Sequence, residues 1–360
     1  MTDHGYKALY GELQRRMGSG GDLSPGPQDT FSRFARGELW EPERERLHLA
    51  VLEQFKDRCQ GLPRDGHAAL LTAGAPGAGK GGAQANLSQW QGQDSELGRE
   101  LMRVHGVDLN SYVALDPDQF KVAIFEHGGL PQLDSGQMRL PEGRQLSPSE
   151  MASLIHRESA FLQDQFEIWA RGEGYNLLYD ATLKNLDKNS RLLTDLQREG
   201  YEKRVVLSVE VPLEQCLAQN AARWEAGRKE FDAGRDKYGG RMAPEGMIKD
   251  LYAQSSSGRG YSIGRDNAEK LADRGLATGL ITSDRGDFRQ VGGNPSPPAG
   301  AQALPAQAQA FRMGDSTVRI SAASRLRSVS GTATPASPAA HQPTAPPRLP
   351  NQPKNQGPHR

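Results

Sequence analysis

The sequence predicts an α/β protein, a mostly parallel sheet flanked by helices, and three observations carry that expectation. Short apolar runs alternate with stretches of helical length, the pattern of a sheet covered on both faces. One run, 68–73, stops abruptly at Gly74-Ala75-Pro76-Gly77-Ala78-Gly79-Lys80, a glycine-rich loop placed to open a helix on a bound phosphate. Two further runs end on acids, Leu115 before Asp116-Pro117-Asp118 and Tyr179 before Asp180. Open parallel sheets gather their ligand groups at such strand ends.

In chain order, residues 1–38 read as a flexible N-terminal arm with a short helix near Tyr6 to Met17. From Pro42 a helix is expected, because proline suits its first turn and Leu47, Ala50, Val51 and Phe55 recur at helical spacing. A strand over 68–73 leads into the glycine loop and a helix over 80–90, and a second strand covers 112–115. Ser147-Pro148-Ser149-Glu150 carries a capping box with proline at the first helical position, so one long helix is expected to about Ala170. Strands at 176–180 and 204–211, helices at 187–199, 213–231, 244–253 and 267–273, and a last strand at 278–282 complete the domain, 39–286. The segment 287–360 holds roughly half of the 23 prolines, and beyond Asp287 eight Arg and Lys stand against one acid, Asp315. Almost without aromatics, it cannot bury enough apolar area to offset its ordering entropy, and it reads as a disordered tail.

Composition narrows the function. The 360 residues carry 44 Lys+Arg against 44 Asp+Glu, so no basic surplus points to nucleic acid. The two cysteines, Cys59 and Cys216, lie far apart without metal-ligand spacing and read as buried thiols in a reducing compartment. No stretch of about 18 apolar residues is present for a membrane span. The start, Met-Thr-Asp-His-Gly-Tyr-Lys, lacks the apolar core of a secretory signal. A cytoplasmic enzyme is expected, and leaderless secretion as an effector is compatible with the same residues.

Gly74, Gly79 and Lys80 match the phosphate-binding pattern G-x-x-x-x-G-K-[ST]. Small residues let backbone N–H groups turn inward on phosphate oxygens, and the lysine brings a positive charge to the transferred end. The position after Lys80 is Gly81, followed by Gly82, so the hydroxyl that usually meets Mg²⁺ is missing. Asp116 and Asp118 offer one helix cap and one general base, with Asp118 favoured as the base that takes a proton from an attacking hydroxyl. Asp180 ends its apolar run as a Mg²⁺-holding acid does, and Thr182 follows where it would enter the same crevice. Cations to neutralise a transferring phosphoryl group would come from Arg223, Arg228, Arg235, Lys237 and Arg241.

Together these pieces resemble the zeta toxin family of P-loop kinases. The likeness rests on Gly74 to Lys80, Leu115-Asp116-Pro117-Asp118-Gln119-Phe120-Lys121, Gly174 through Asp180-Ala181-Thr182, Val211-Pro212, Arg223 and Arg241-Met242-Ala243-Pro244. It covers about 65–250. The resemblance implies ATP-dependent phosphorylation of the 3′-hydroxyl of UDP-N-acetylglucosamine with Mg²⁺. It also implies that Gly74, Ala75, Pro76, Gly77, Ala78, Gly79, Lys80 and Gly81 bind ATP, that Asp118 is the base, and that Arg223 and Arg241 clamp the transferring phosphate. Thr182 would contact the nucleotide sugar together with an acid near Asp164, for which Glu158 and Glu167 are the alternatives. An antitoxin that blocks the ATP crevice is implied as a partner. The glycine after the lysine is similar to adenylate kinase loops, though those carry threonine where this chain has Gly82. Two other readings stay open: the same chemistry on a nucleoside monophosphate or NAD, and an ATP-binding interaction module that has lost catalysis.

Overall fold

A computed structural model describes residues 3–37, 39–64, 67–91, 111–284 and 287–290. Its centre is a six-stranded sheet of order β4-β5-β3-β6-β7-β8. The strands are β3 (Ala68–Ala73), β4 (Val113–Leu115), β5 (Leu177–Tyr179), β6 (Lys203–Glu210), β7 (Gly279–Asp284) and β8 (Asp287–Gln290). All neighbours pair in parallel except β7 and β8. A small antiparallel pair, β1 (Ala35–Arg36) and β2 (Leu39–Trp40), stands apart from it.

Strand β3 is buried along its whole length, which explains its continuous apolar sequence: helices cover both sides. Its side chains alternate. Ala69, Leu71 and Ala73 join one core, with Val51, Leu52 and Phe55 of α3 (Pro42–Arg58), Phe120 and Ile124 of α5 (Pro117–Glu126), and Phe166 of α6 (His156–Gly172). Phe55 and Phe120 stack there with ring centroids 3.9 Å apart. Ala68 and Leu70 join the opposite core, with Ala83 of α4 (Lys80–Gln91), Cys216 of α8 (Leu213–Asp232) and Ile248 of α9 (Glu245–Ala253). Helices α7 (Leu186–Arg198) and α10 (Ile263–Asp273) complete the layers. Both cysteines are free and buried, as expected.

Three expectations are corrected. Residues 3–37 are no loose arm: α1 (Asp3–Met17) and α2 (Thr30–Phe34) are helices. Tyr6, Leu9, Leu13, Met17 and Leu23 are buried in a third core with Met151, Leu154, Trp224 and Met242. The α1 spacing is that of a single apolar stripe. The single helix expected from Ser147 begins as a 3-10 segment, Pro148–Ile155, before α6 starts at His156. Its first turn is pinned from outside, because Glu150 is fully buried and accepts from Trp224 Nε1 (2.9 Å), Arg228 (2.8 Å) and the Ser147 N–H (2.8 Å). Finally, the segment read as a tail from 287 starts as β8, whose edge pairing with β7 runs from Asp287 to Gln290. The remainder of that segment lies outside the described residues.

Because β3 to β6 are parallel, their carboxyl ends share one edge of the sheet. In register, Leu71 and Leu115 both pair with Tyr179. The glycine loop, Asp116 and Asp180 therefore emerge side by side.

Candidate active site

The loop after β3 is shaped by its glycines. Gly74, Gly77 and Gly79 have φ of 148°, 92° and 91°, a region that side chains with a Cβ rarely enter. At two of them space also decides. A Cβ on Gly74 would lie 2.4 Å from the Val209 carbonyl oxygen, and one on Gly77 would lie 2.4 Å from that of Cys216. Helix α8 buttresses the loop again where Cys216 Sγ donates to the Pro76 carbonyl at 2.9 Å. Gly79, Gly81 and Gly82 face open space, with no heavy atom within 4 Å of a Cβ placed there. The N-terminal turn of α4 is thus free to receive a phosphate.

Lys80 stands at the start of α4, donates to the Gly74 carbonyl at 3.0 Å and lies 3.4 Å from Asp180 Oδ1. Asp180 is held in turn by a residue that sequence reasoning overlooked. Thr72 Oγ1 donates to Asp180 Oδ1 at 3.0 Å and accepts the Ala181 N–H at 2.9 Å. Its signal was a single hydroxyl inside the apolar run Ala68-Ala69-Leu70-Leu71-Thr72-Ala73. The Asp180 N–H donates to the Leu115 carbonyl at 3.1 Å, fixing that acid beside Asp116.

The two acids after β4 have different partners. Asp116 caps α5, with its Oδ1 accepting the Asp118 N–H at 2.9 Å. Burial, then the neighbouring Asp180 and Asp118 charges, push its carboxyl up to about 6. Asp118 meets cations on both oxygens: Lys121 Nζ at 2.9 Å from Oδ1 and Arg241 at 3.1 Å from Oδ2. Burial raises its pKa, but Lys121, Arg241 and Arg223 outweigh that and leave the carboxyl below its ordinary value. Asp118 is therefore ionised at neutral pH. Lys121, quoted in the motif but given no role, is a fixed part of this charge group.

Of the five cations after β6, geometry brings two to the crevice. Arg228 is buried between Glu150 and Asp232, and Arg235 turns outward to Glu230. Lys237 lies over the Tyr238 ring. Arg241 reaches Asp118. Arg223 hydrogen-bonds Asn220 at 3.5 Å; burial and the nearby Arg241 lower its pKa, while Asp118 and Asp180 oppose that shift.

The acids proposed for α6 also separate. Glu158 is fully buried in a pair with Arg44 and His48 (both 2.6 Å). Glu167 accepts from Tyr179 Oη and Arg171 (both 3.1 Å). Asp164 is partly exposed on the same helix. Thr182 is partly exposed two residues past Asp180, and its carbonyl oxygen would meet a Cβ on Gly264 at 2.4 Å.

Fold and strand-end loop together define a P-loop, kinase-like α/β protein. The zeta toxin family model matches residues 54–257, more than half of the 360-residue chain. The chain belongs to the zeta toxin family. That family consists of kinase-like phosphotransferases that use a nucleotide, and this protein's function is of that toxin-kinase class. Among solved structures, one from the PezAT chromosomal toxin–antitoxin system of Streptococcus pneumoniae is similar, at 14% identity and a TM-score of 0.45. The match covers 81% of this chain and 96% of that one. No curated protein matches. Among the described residues no helix is long and apolar enough to cross a membrane.

Proposed function

We propose that the protein transfers the γ-phosphoryl group of ATP to the 3′-hydroxyl of UDP-N-acetylglucosamine. The observation that carries this reading is the placement of Asp118: an ionised carboxylate, gripped by Arg241 and Lys121, on the strand edge that also bears Lys80 and the glycine loop. Transfer to an alcohol needs a base for the hydroxyl proton, donors for the donor phosphates and cations for the equatorial oxygens, all in one crevice.

Residues 74–81 would wrap the ATP phosphates, with Lys80 against the β- and γ-groups. Arg223 and Arg241 would neutralise the transferring group. Arg241 has a double part. While it sits on Asp118 it keeps that base weak; drawn onto a phosphate, it releases the carboxylate, whose pKa then rises toward that of a better proton acceptor. Thr182 and Asp164 would hold the nucleotide sugar.

Mg²⁺ fits the residues present, though differently from the usual pattern. With Gly81 and Gly82 offering no hydroxyl, Asp180 would hold the ion, directly or through water. Burial and then the neighbouring Asp180 charge raise the Asp116 pKa, and a cation there would relieve the second of these. Bound Mg²⁺ supplies charge neutralisation of the ATP phosphates. The protein partner consistent with this class is an antitoxin covering the ATP crevice, and a cytoplasmic site of action suits both substrates. The catalytic unit would comprise the 39–286 span together with α1 and the edge strand β8.

The test is transfer of radiolabel from γ-labelled ATP, offered against UDP-N-acetylglucosamine, AMP and NAD in parallel. The proposal expects label on the UDP sugar. Label on AMP or NAD alone replaces the acceptor, and label on none removes the kinase reading in favour of an ATP-binding interaction module.

A further inference from the structure

Arg241 lies in a short link, Gly240 to Pro244, between the loop after α8 and the start of α9. An arginine on an irregular link is useful in phosphoryl transfer only if its backbone is fixed. Three contacts fix it. Gly240 packs so closely on α8 that a Cβ there would come within 1.9 Å of the Trp224 carbonyl oxygen. Asn220 of α8 clasps Ala243 twice, accepting its N–H and donating to its carbonyl, both at 3.0 Å.

The third contact comes from α1. Gln14 Nε2 donates to the same Ala243 carbonyl at 3.2 Å, and Gln14 Oε1 accepts the Glu245 N–H at 2.8 Å. That N–H belongs to the first turn of α9, where helices leave donors unsatisfied, and the preceding Pro244 has no N–H or capping side chain to help. Beside Gln14, Tyr10 Oη accepts from Asn220 Nδ2 at 3.2 Å, and the Tyr10 ring packs on Trp224 at 5.3 Å between centroids. Asn220 also touches Arg223. One side chain of α1 therefore bridges the residues on either side of Pro244, and a second braces the asparagine that serves both arginines.

We infer that α1 is a positioning element of the active site, with Gln14 holding the Arg241 link in register for phosphate. This helix lies outside residues 54–257, the span matched by the family model. The inference rests on the phosphotransfer reading for its consequence in rate, and on geometry alone for its consequence in nucleotide binding.

The test is a double-mutant cycle in the full chain with Gln14→Met, which keeps length and loses the hydrogen bonds to Ala243, Glu245 and Met242 Sδ, and Arg241→Ala. Two readouts are taken: kcat for transfer to UDP-N-acetylglucosamine, and the ratio of ATP to ADP affinity by calorimetric titration. Gln14→Met is expected to lower kcat about tenfold, the worth of one to two ordinary hydrogen bonds. It should lower the ATP/ADP ratio in the same direction as Arg241→Ala. In the Arg241→Ala background it should change neither, because its effect passes through that arginine. Gln14→Glu, which keeps the acceptor for the Glu245 N–H, should recover part of the loss. Additive effects, or a lowered melting temperature with kcat and affinity ratio intact, overturn the inference. If the wild-type chain transfers no phosphate, the affinity cycle still decides the role of Gln14, while the kinase reading fails separately.

Discussion

Replacing Glu158 by glutamine separates a structural acid from a substrate-binding one. The carboxylate is fully buried, and Arg44 grips it at 2.6 and 2.7 Å while His48 closes on it at 2.6 Å. Burial alone would raise its pKa, yet His48 and Arg44 pull it down to about 2. The fold therefore favours the charged form. Breaking a buried pair from one side costs about 3–5 kcal/mol, because it strands a charge. Glutamine keeps one acceptor, so about 3 kcal/mol is expected, a fall of about 6–12 °C in melting temperature for a domain of this size. The sign with pH follows from the depressed pKa. The stabilisation is present above about pH 4.5 and is lost as pH falls toward 2, so the variant and wild type should converge in acid. Urea denaturation at pH 7 and pH 3 measures both. A loss under about 1 kcal/mol at pH 7, or weakened binding of the nucleotide sugar at full stability, would refute the structural assignment.

Other perturbations probe the crevice. Gly77→Ala should abolish ATP binding in calorimetry, since its Cβ would lie 2.4 Å from the Cys216 carbonyl at a φ of 92°; unchanged affinity would contradict the loop geometry. Asp116→Asn should stabilise the fold by about 1–3 kcal/mol at pH 7.5. The raised pKa means that ionising Asp116 costs more in the folded state, so wild-type stability falls between about pH 4 and 6. The variant should lose that slope in pH-dependent denaturation. Gly81→Ser has room for its side chain and should lower the Mg²⁺ concentration needed for half-maximal transfer; an unchanged Mg²⁺ requirement would show that Asp180 and water already suffice.

Much of the site was legible because its logic is local. Gly74 to Lys80, Asp118 and Asp180 each sit at the end of an apolar run, and strand ends of a parallel sheet must converge. The pair Asp116 and Asp118 read as one cap and one base; the hydrogen bonds put Asp116 on the helix N-terminus and Asp118 against Arg241. The unread features are those that depend on distant partners. The α1 stripe of Tyr6, Leu9, Leu13 and Met17 was visible as a weak helix, but its partners Trp224 and Met242 lie more than 200 residues away, so packing could not be inferred. Sorting Arg228 from Arg223 needed the buried Glu150, which sequence spacing does not place beside α8. Thr72 was masked by its apolar neighbours, and Glu158 by the unseen approach of Arg44 and His48.

The most direct measurement is single-turnover transfer from labelled ATP to UDP-N-acetylglucosamine by wild type and Asp118→Asn, alongside ATP affinity. The account predicts a loss of about 10²–10⁴-fold in rate, the range for removing a general base, with ATP binding retained. Transfer by Asp118→Asn at the wild-type rate would contradict it.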